Sequence, residues 1–341
     1  MQALLFKNEK TIELQEMGQP YCGADDVIVR NVRAGICGTD IAAYLHGGLA
    51  GGIFPPSEQG HEFGHEMVGY VDEVGENVKD ITKGDRVFVH PINRTDNPSA
   101  ACMASGFSQY VLVQNAKVDY NIFILPDALS FDEAVLIEPY SVGTHGKNSA
   151  QAKPEDNVVV YGAGTIGLCA LSSLVAQGNK KVVVIDIDDH RLETVKQIGG
   201  IGFNPLSGDT RDFLIEQFGE IPKQFGESAV NVDAYIDCAG ASNIPTDFLR
   251  YAKMDARLSC VALHKKEVSL DFRQIMSAQA HIIGSKGYTN DDINEVISNL
   301  TNKASDVSPL ITHNFKLSEF AQAFETASNP KESIKVVFDM E

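Results

Sequence analysis

No apolar run in this 341-residue chain approaches the roughly 18 residues of a membrane span, so nothing in it reads as a transmembrane helix. Positive charge is also scarce: 28 Lys and Arg stand against 46 Asp and Glu, a formal net charge of -18. Such a surface repels phosphate backbones and anionic headgroups, which argues against nucleic acid and membranes as partners. Paired cysteines are missing too. The six cysteines, at 22, 37, 102, 169, 238 and 260, are scattered with no C-x-x-C spacing. In a chain of this size they read as reduced thiols in cytoplasm rather than a disulfide framework. The opening Met1-Gln2-Ala3-Leu4-Leu5-Phe6-Lys7 alternates like a strand and lacks the pattern of a secretory signal. Neither an internal repeat nor a low-complexity tract interrupts the rest.

What is present falls into two patterns. Up to about residue 140 the chain is β-rich, with short runs such as Val27-Ile28-Val29-Arg30-Asn31-Val32 and Arg86-Val87-Phe88-Val89 broken by Gly-Asp and Pro turns. From about 143 to 285, strands expected at 158–161, 181–186, 233–238, 258–263 and 281–284 alternate with helical segments. That alternation means a parallel sheet with helices on both faces. Beyond 286 come an acidic helical stretch, a helix near Leu317-Ser318-Glu319-Phe320, and a last strand at Ile334-Lys335-Val336-Val337-Phe338. The length exceeds one ordinary core. The predicted fold is α/β: a β-rich domain in two pieces, 1–142 and 286–341, with a nucleotide domain, 143–285, inserted between them. An insertion of that kind leaves the active site in the interdomain cleft.

The most informative motif is Val158-Val159-Val160-Tyr161-Gly162-Ala163-Gly164-Thr165-Ile166-Gly167. An apolar strand runs into G-x-G-x-x-G and then into a helix-forming stretch, the context a dinucleotide fingerprint requires. Gly162 permits the tight turn, Gly164 lets the backbone approach a pyrophosphate, and Gly167 lets helix and strand pack closely. The helix that opens at Thr165 and Ile166 points its N–H groups at the phosphates. Asp186 ends the next strand, 22 residues after Gly164. It can accept both ribose hydroxyls and repel a 2′-phosphate. Arg191, five residues on, lies near the same ribose and could welcome that phosphate, but the carboxylate should outweigh it, which predicts NAD over NADP.

A second constellation suits a metal. Cys37 sits in Ala34-Gly35-Ile36-Cys37-Gly38-Thr39-Asp40, two imidazoles and two carboxylates crowd Gly60-His61-Glu62-Phe63-Gly64-His65-Glu66, and Glu138 lies in Leu136-Ile137-Glu138-Pro139. Thiolate, imidazole and carboxylate together suit zinc. His61 to His65 spells H-E-x-x-H, the metalloprotease motif, which works only on a helix. Pro55-Pro56, Gly60 and Gly64 deny a helix there, and Met67-Val68-Gly69-Tyr70-Val71 continues as a strand.

Taken with Val74-Gly75, Gly84-Asp85-Arg86-Val87 and Ile137-Glu138-Pro139-Tyr140-Ser141-Val142, these motifs resemble, in order and along essentially the whole chain, the zinc-dependent medium-chain alcohol dehydrogenases. The polyol (sorbitol-type) branch is the nearest. The resemblance implies a GroES-like catalytic domain with a doubly wound Rossmann domain, and hydride transfer between an alcohol and NAD with one catalytic zinc. Counting back from Gly75, as the family's G-H-E spacing requires, selects His65 and Glu66 and leaves His61 and Glu62 as loop residues at the cleft entrance. The implied metal set is Cys37, His65, Glu66 and Glu138, with Glu66 either a ligand or an outer carboxylate, and Glu138 standing where other members carry a second Cys. Asp40 would orient the ligand imidazole. Thr39 would hydrogen-bond the alcohol oxygen and pass its proton outward, since the family's relay His is Ala42 here; His46 is a weaker substitute.

Two further departures shape the expectation. The stretch from His90 to Gly106 holds only Cys102, too few cysteines for the family's structural-zinc lobe, so that second zinc should be absent. The family's polyol-binding Arg-Tyr pair falls on Gly284-Ser285-Lys286-Gly287-Tyr288, where Tyr288 is present, Gly287 replaces the Arg, and Lys286 stands beside it. A polyol is therefore the favoured substrate. Butanediol and threonine dehydrogenases share the framework, and a zinc-less or non-catalytic nucleotide binder is the reading of a different class. Homodimers or homotetramers are the family expectation.

Overall fold

The computed structural model describes residues 1–47, 57–91, 105–223 and 228–341. The segment around Cys102 whose cysteine content bears on a second zinc lies outside them. The chain forms two compact units, one of residues 1–138 and 311–341, the other of 139–310.

The first unit is β-rich. Its main sheet runs, edge to edge, through Ile311–Lys316, Lys335–Asp339, β1 (Val27–Gly35), β2 (Glu66–Val74), Arg86–Val89 and Ile122–Ile124, and Tyr110–Val113 also pairs with β1. β1 is antiparallel to β2, with Gly35 opposite Glu66. Seven of its nine residues are buried, because a central strand packs on both faces. β1 leads into α1 (Gly38–His46), whose N-cap is Cys37. A smaller sheet joins Thr11–Glu16, Gln2–Asn8 and His61–Glu62. Phe63, Phe107, Phe324 and Phe338 are fully buried in one core, with the rings of Phe63 and Phe107 4.8 Å apart, edge to face. Each such side chain contributes about 1.5–3 kcal/mol by leaving water.

The second unit is the expected doubly wound sheet. α2 (Ile137–Ser149) leads into it across the boundary between the units. Then come β3 (Val158–Tyr161), α3 (Thr165–Gln177), β4 (Val182–Ile185), β5 (Ile201–Phe203), β6 (Ala234–Asp237), β7 (Arg257–Cys260), β8 (His281–Gly284) and α4 (Asn290–Thr301). The strands are parallel and ordered β5-β4-β3-β6-β7-β8, so the winding reverses between β3 and β6. β3 and β4 are buried throughout, as strands covered by helices on both faces must be. At Gly167 a Cβ would stand 1.8 Å from the Gly162 carbonyl oxygen, so only glycine lets α3 start this close to the turn.

Three expectations need correction. The expected boundary at 285/286 lies too early, because 286–310 belongs with the second unit. Asp292 of α4 accepts from Asn148 (2.7 Å) and lies 2.8 Å from His145, while Lys147 pairs with Glu295, which fastens α4 to α2. The strand expected at 258–263 ends at Cys260, because the N–H groups of Val261 and Ala262 turn to the Asp237 carbonyl. β5 was not anticipated: its glycine-rich Gly199-Gly200-Ile201-Gly202 context hides a strand that only pairing with β4 creates.

Candidate active site

In the first unit, Cys37, His65 and Glu66 place a sulfur, an imidazole nitrogen and a carboxylate oxygen all within 4.8 Å of one another. Among the described residues this is the one group of three or more such side chains. The local chain explains it. β1 delivers Cys37 to the start of α1, and β2, pairing alongside, begins with Glu66 opposite Gly35. A Cβ on Gly35 would stand 2.0 Å from Glu66 Oε2, so the carboxylate rests against bare backbone. His61 lies elsewhere, opposite Phe6 in the small sheet, while Glu62 accepts from Ser108 Oγ at 2.6 Å. Both are strand residues, not the loop residues expected. Gly64 between the two histidines has φ +87, and no helix carries them, so H-E-x-x-H is a coincidence of spelling.

The electrostatics favour positive charge. Burial, the largest influence on His65, favours its neutral form. The negative charges of Asp40, Cys37 and Glu138 nevertheless hold its pKa well above the ordinary value. A field that keeps a proton on a buried imidazole equally favours a divalent cation. Asp40 is itself buried, which pushes its carboxyl up, and its Oδ2 accepts from the Cys37 N–H at 2.9 Å. Asp40 Oδ1 stands 3.7 Å from His65 Nδ1, a charge contact rather than the orienting hydrogen bond expected. Glu138 is buried in the first turn of α2 and lies outside the three-residue cluster.

Sequence reasoning missed one member. Lys335, 3% exposed, donates from Nζ to both oxygens of Glu66 (2.6 and 2.7 Å) and to the Ile36 carbonyl (2.9 Å). Burial lowers the pKa of Lys335, but Glu66, Cys37 and Glu138 outweigh that and raise it. The available signal was a lysine opening the apolar run Lys335-Val336-Val337-Phe338, every residue of which is buried. Thr39, half-buried in the first turn of α1, lies two residues from Cys37.

In the second unit, the glycine turn joins β3 to α3 with Gly164 as N-cap, which makes no side-chain cap over Thr165 and Ile166. An N-terminus of this kind attracts anions. Asp186 follows β4, and its Oδ2 accepts from the Ala163 N–H at 2.6 Å while Oδ1 accepts from the Asp188 N–H at 2.9 Å. A carboxylate with two partners keeps lone pairs for a diol. Arg191 Nη1 stands 3.5 Å from where a Cβ on Gly164 would be, so the guanidinium borders the cradle. Tyr288, half-buried, immediately precedes Thr289, the N-cap of α4, while Lys286 is exposed.

Two family profiles match the chain: an alcohol dehydrogenase GroES-like domain over residues 23–121 and a zinc-binding dehydrogenase over 165–302. L-idonate 5-dehydrogenase of Vitis vinifera is 30% identical across 97% of this chain and 92% of its own length. Sorbitol dehydrogenase of Arabidopsis thaliana is 29% identical across 97% and 93%. The fold is shared with 2R,3R-butanediol dehydrogenase of Bacillus subtilis, with a TM-score of 0.87, 24% identity, and coverage of 100% of this chain and 99% of that one.

Proposed function

This chain belongs to the zinc-dependent medium-chain alcohol dehydrogenases, and we propose that within them it moves hydride between NAD and a polyol of the sorbitol type. One observation carries the metal chemistry: a thiol, an imidazole and a carboxylate converge within 4.8 Å in a buried, negative environment. That donor set fits zinc, which would be held by Cys37 and His65 with Glu66 or Glu138 completing the set. When bound there, zinc would supply Lewis acidity that lowers an alcohol's pKa. Lys335 engages both Glu66 oxygens, which favours Glu138 as the direct carboxylate and Glu66 as the outer one. Thr39 carries a hydroxyl suited to hold the alcohol oxygen and pass its proton outward.

The glycine cradle fits a dinucleotide, since a side chain on Gly167 would collide with backbone. The residues proposed to hold it are Gly162, Gly164, Thr165, Ile166, Gly167, Asp186 and Arg191, with Asp186 selecting NAD over NADP. When bound, the nicotinamide would accept or return the hydride.

For the substrate, relatives named for sorbitol and idonate support a polyol. So does a carboxylate, Glu138, where other members carry a thiolate, because a polar pocket leaves groups unpaired when an apolar alcohol enters. Tyr288 is the residue proposed to contact a polyol hydroxyl. The second reading, a butanediol or threonine dehydrogenase, rests on the absence of an Arg at Gly287. The test is a screen of polyols, vicinal diols and hydroxy-amino acids with NAD⁺, read at the nicotinamide absorbance, alongside elemental analysis. Polyols should exceed 2-propanol in kcat/KM by on the order of 10²-fold, from two unpaired groups at about 1–3 kcal/mol each. Parity with 2-propanol would sink the polyol reading. One zinc per chain is expected. Two would refute the reading of the Cys102 segment, and none after metal-replete purification would leave the zinc-less class.

A homodimer or homotetramer in cytoplasm completes the proposal. β8 is an edge strand with Ile282 exposed, and Phe272 and Met276 lie exposed just before it in the chain. Among the described residues no helix is long and apolar enough to cross a membrane, and five cysteines are free thiols.

A further inference from the structure

The carboxyl edge of the parallel sheet carries a hydrogen-bonded Asp–His pair that the glycine fingerprint does not explain. Asp237 ends β6 and is fully buried. Its Oδ1 accepts from the backbone N–H groups of Ala239 (3.0 Å) and Gly240 (2.8 Å). Its Oδ2 lies 2.7 Å from Nε2 of His264. Its backbone carbonyl accepts from Val261 (3.0 Å) and Ala262 (2.9 Å). One residue thus ties down the turn after β6, the loop leaving β7, and an imidazole on that loop. With Nε2 donating its hydrogen to the carboxylate, the neutral ring presents Nδ1 as an acceptor. Among the described residues Nδ1 has no partner, and the side chain is 20% exposed. A buried carboxylate therefore sets the tautomer and direction of a ring whose second nitrogen is unused.

Its place in the sheet says what could use it. The Cys238 N–H donates to the Tyr161 carbonyl at 2.9 Å, so the turn after β6 packs on the strand that leads into the fingerprint. The winding reverses between β3 and β6, and a dinucleotide lies across such a crevice with one half on each side. Asp186, at the end of β4, belongs to the adenosine side. His264, on the loop after β7, belongs to the other.

We propose that His264 contacts the cofactor. Its Nδ1, aimed by Asp237, accepts a hydrogen bond from the nicotinamide half, from the carboxamide N–H or a ribose hydroxyl. Asp237 acts through the ring and is a positioning residue. The proposal rests on the NAD reading above. Binding tests it without turnover, using NADH and ADP as probes, because ADP has the adenosine and phosphates but no nicotinamide nucleoside. His264→Ala should weaken NADH about five- to tenfold, the worth of one neutral hydrogen bond, and leave ADP within about twofold. Unchanged NADH affinity overturns the contact. So do equal losses for both probes in His264→Ala and in the milder His264→Asn, since the ring would then only support its loop. Asp237→Asn keeps an oxygen for the turn and should weaken NADH alone, but add nothing in a His264→Ala background. Additive losses in the double variant would overturn the positioning role. Wild-type protein that binds neither probe would bring down the dinucleotide reading itself.

Discussion

In the β-rich unit, Cys37, His65, Glu66 and Lys335 come from three distant stretches of chain and meet as polar side chains, with Cys37 half-buried and the other three buried. In the parallel-sheet unit, Gly162 to Gly167 are contiguous and offer backbone in a closely packed turn. The first arrangement is a balance. Each buried charge is tolerable because another answers it, so removing one unsettles the rest. The second is a shape. It is indifferent to most side chains nearby but intolerant of a Cβ where strand and helix nearly touch. Charge convergence is fragile to deletion, and a backbone cradle is fragile to addition.

The largest expected effect tests the convergence directly. His65→Ala should cost on the order of 10³-fold or more in kcat/KM, beyond the 10–100-fold typical of losing an outer partner, together with tight zinc binding. His61→Ala, from the small sheet, should keep its zinc and change turnover modestly. Elemental analysis of both variants decides it, and the reverse pattern would show that the other imidazole holds the metal.

Lys335→Met asks whether the balance is real. Leaving the Glu66 carboxylate buried without its ammonium should cost about 3–5 kcal/mol of stability, measured by urea unfolding of the metal-free protein. A loss below about 1 kcal/mol would mean that Glu66 finds water or another partner, and the contrast between the units would weaken.

On the cradle side, Asp186 is the charge proposed to exclude a 2′-phosphate. At about 5 Å and an effective dielectric of ~20, repulsion of a 2′-phosphate is worth about 3 kcal/mol, so NAD⁺ should exceed NADP⁺ in kcat/KM by on the order of 10²-fold. Asp186→Ser should close most of that gap. Equal use of both cofactors by the wild type would hand the decision to Arg191.

Tyr288→Phe should have the smallest effect, about three- to tenfold on a polyol and little on 2-propanol, as for one lost neutral hydrogen bond. An equal fall for both substrates would assign Tyr288 to holding the entry of α4 instead.

Much of this architecture is legible in the sequence. The alternation of Val158–Tyr161 and Val182–Ile185 with helix formers specifies a parallel sheet, because fully buried strands must be continuously apolar. Where the reading failed, a distant partner made the decision. Ile201–Phe203 becomes a strand only beside Val183–Ile185. Val261 and Ala262 leave the sheet because Asp237 claims their N–H groups. Residues 286–310 join the parallel-sheet unit because Asp292 and Glu295 find His145, Asn148 and Lys147.

The glycine cradle was determined by sequence alone, since a turn between a strand and a helix depends on backbone torsions and close approach within six consecutive residues. The candidate ligand types were likewise visible, but not their partners. Lys335 reaches Glu66 across 269 positions of chain, and His264 reaches Asp237 across 27. Short-range pattern encodes local conformation, whereas pairing between distant polar side chains is set by which strands lie side by side. Only the tertiary structure determines that adjacency, and with it which charges are answered and which ring nitrogen is left to face a ligand.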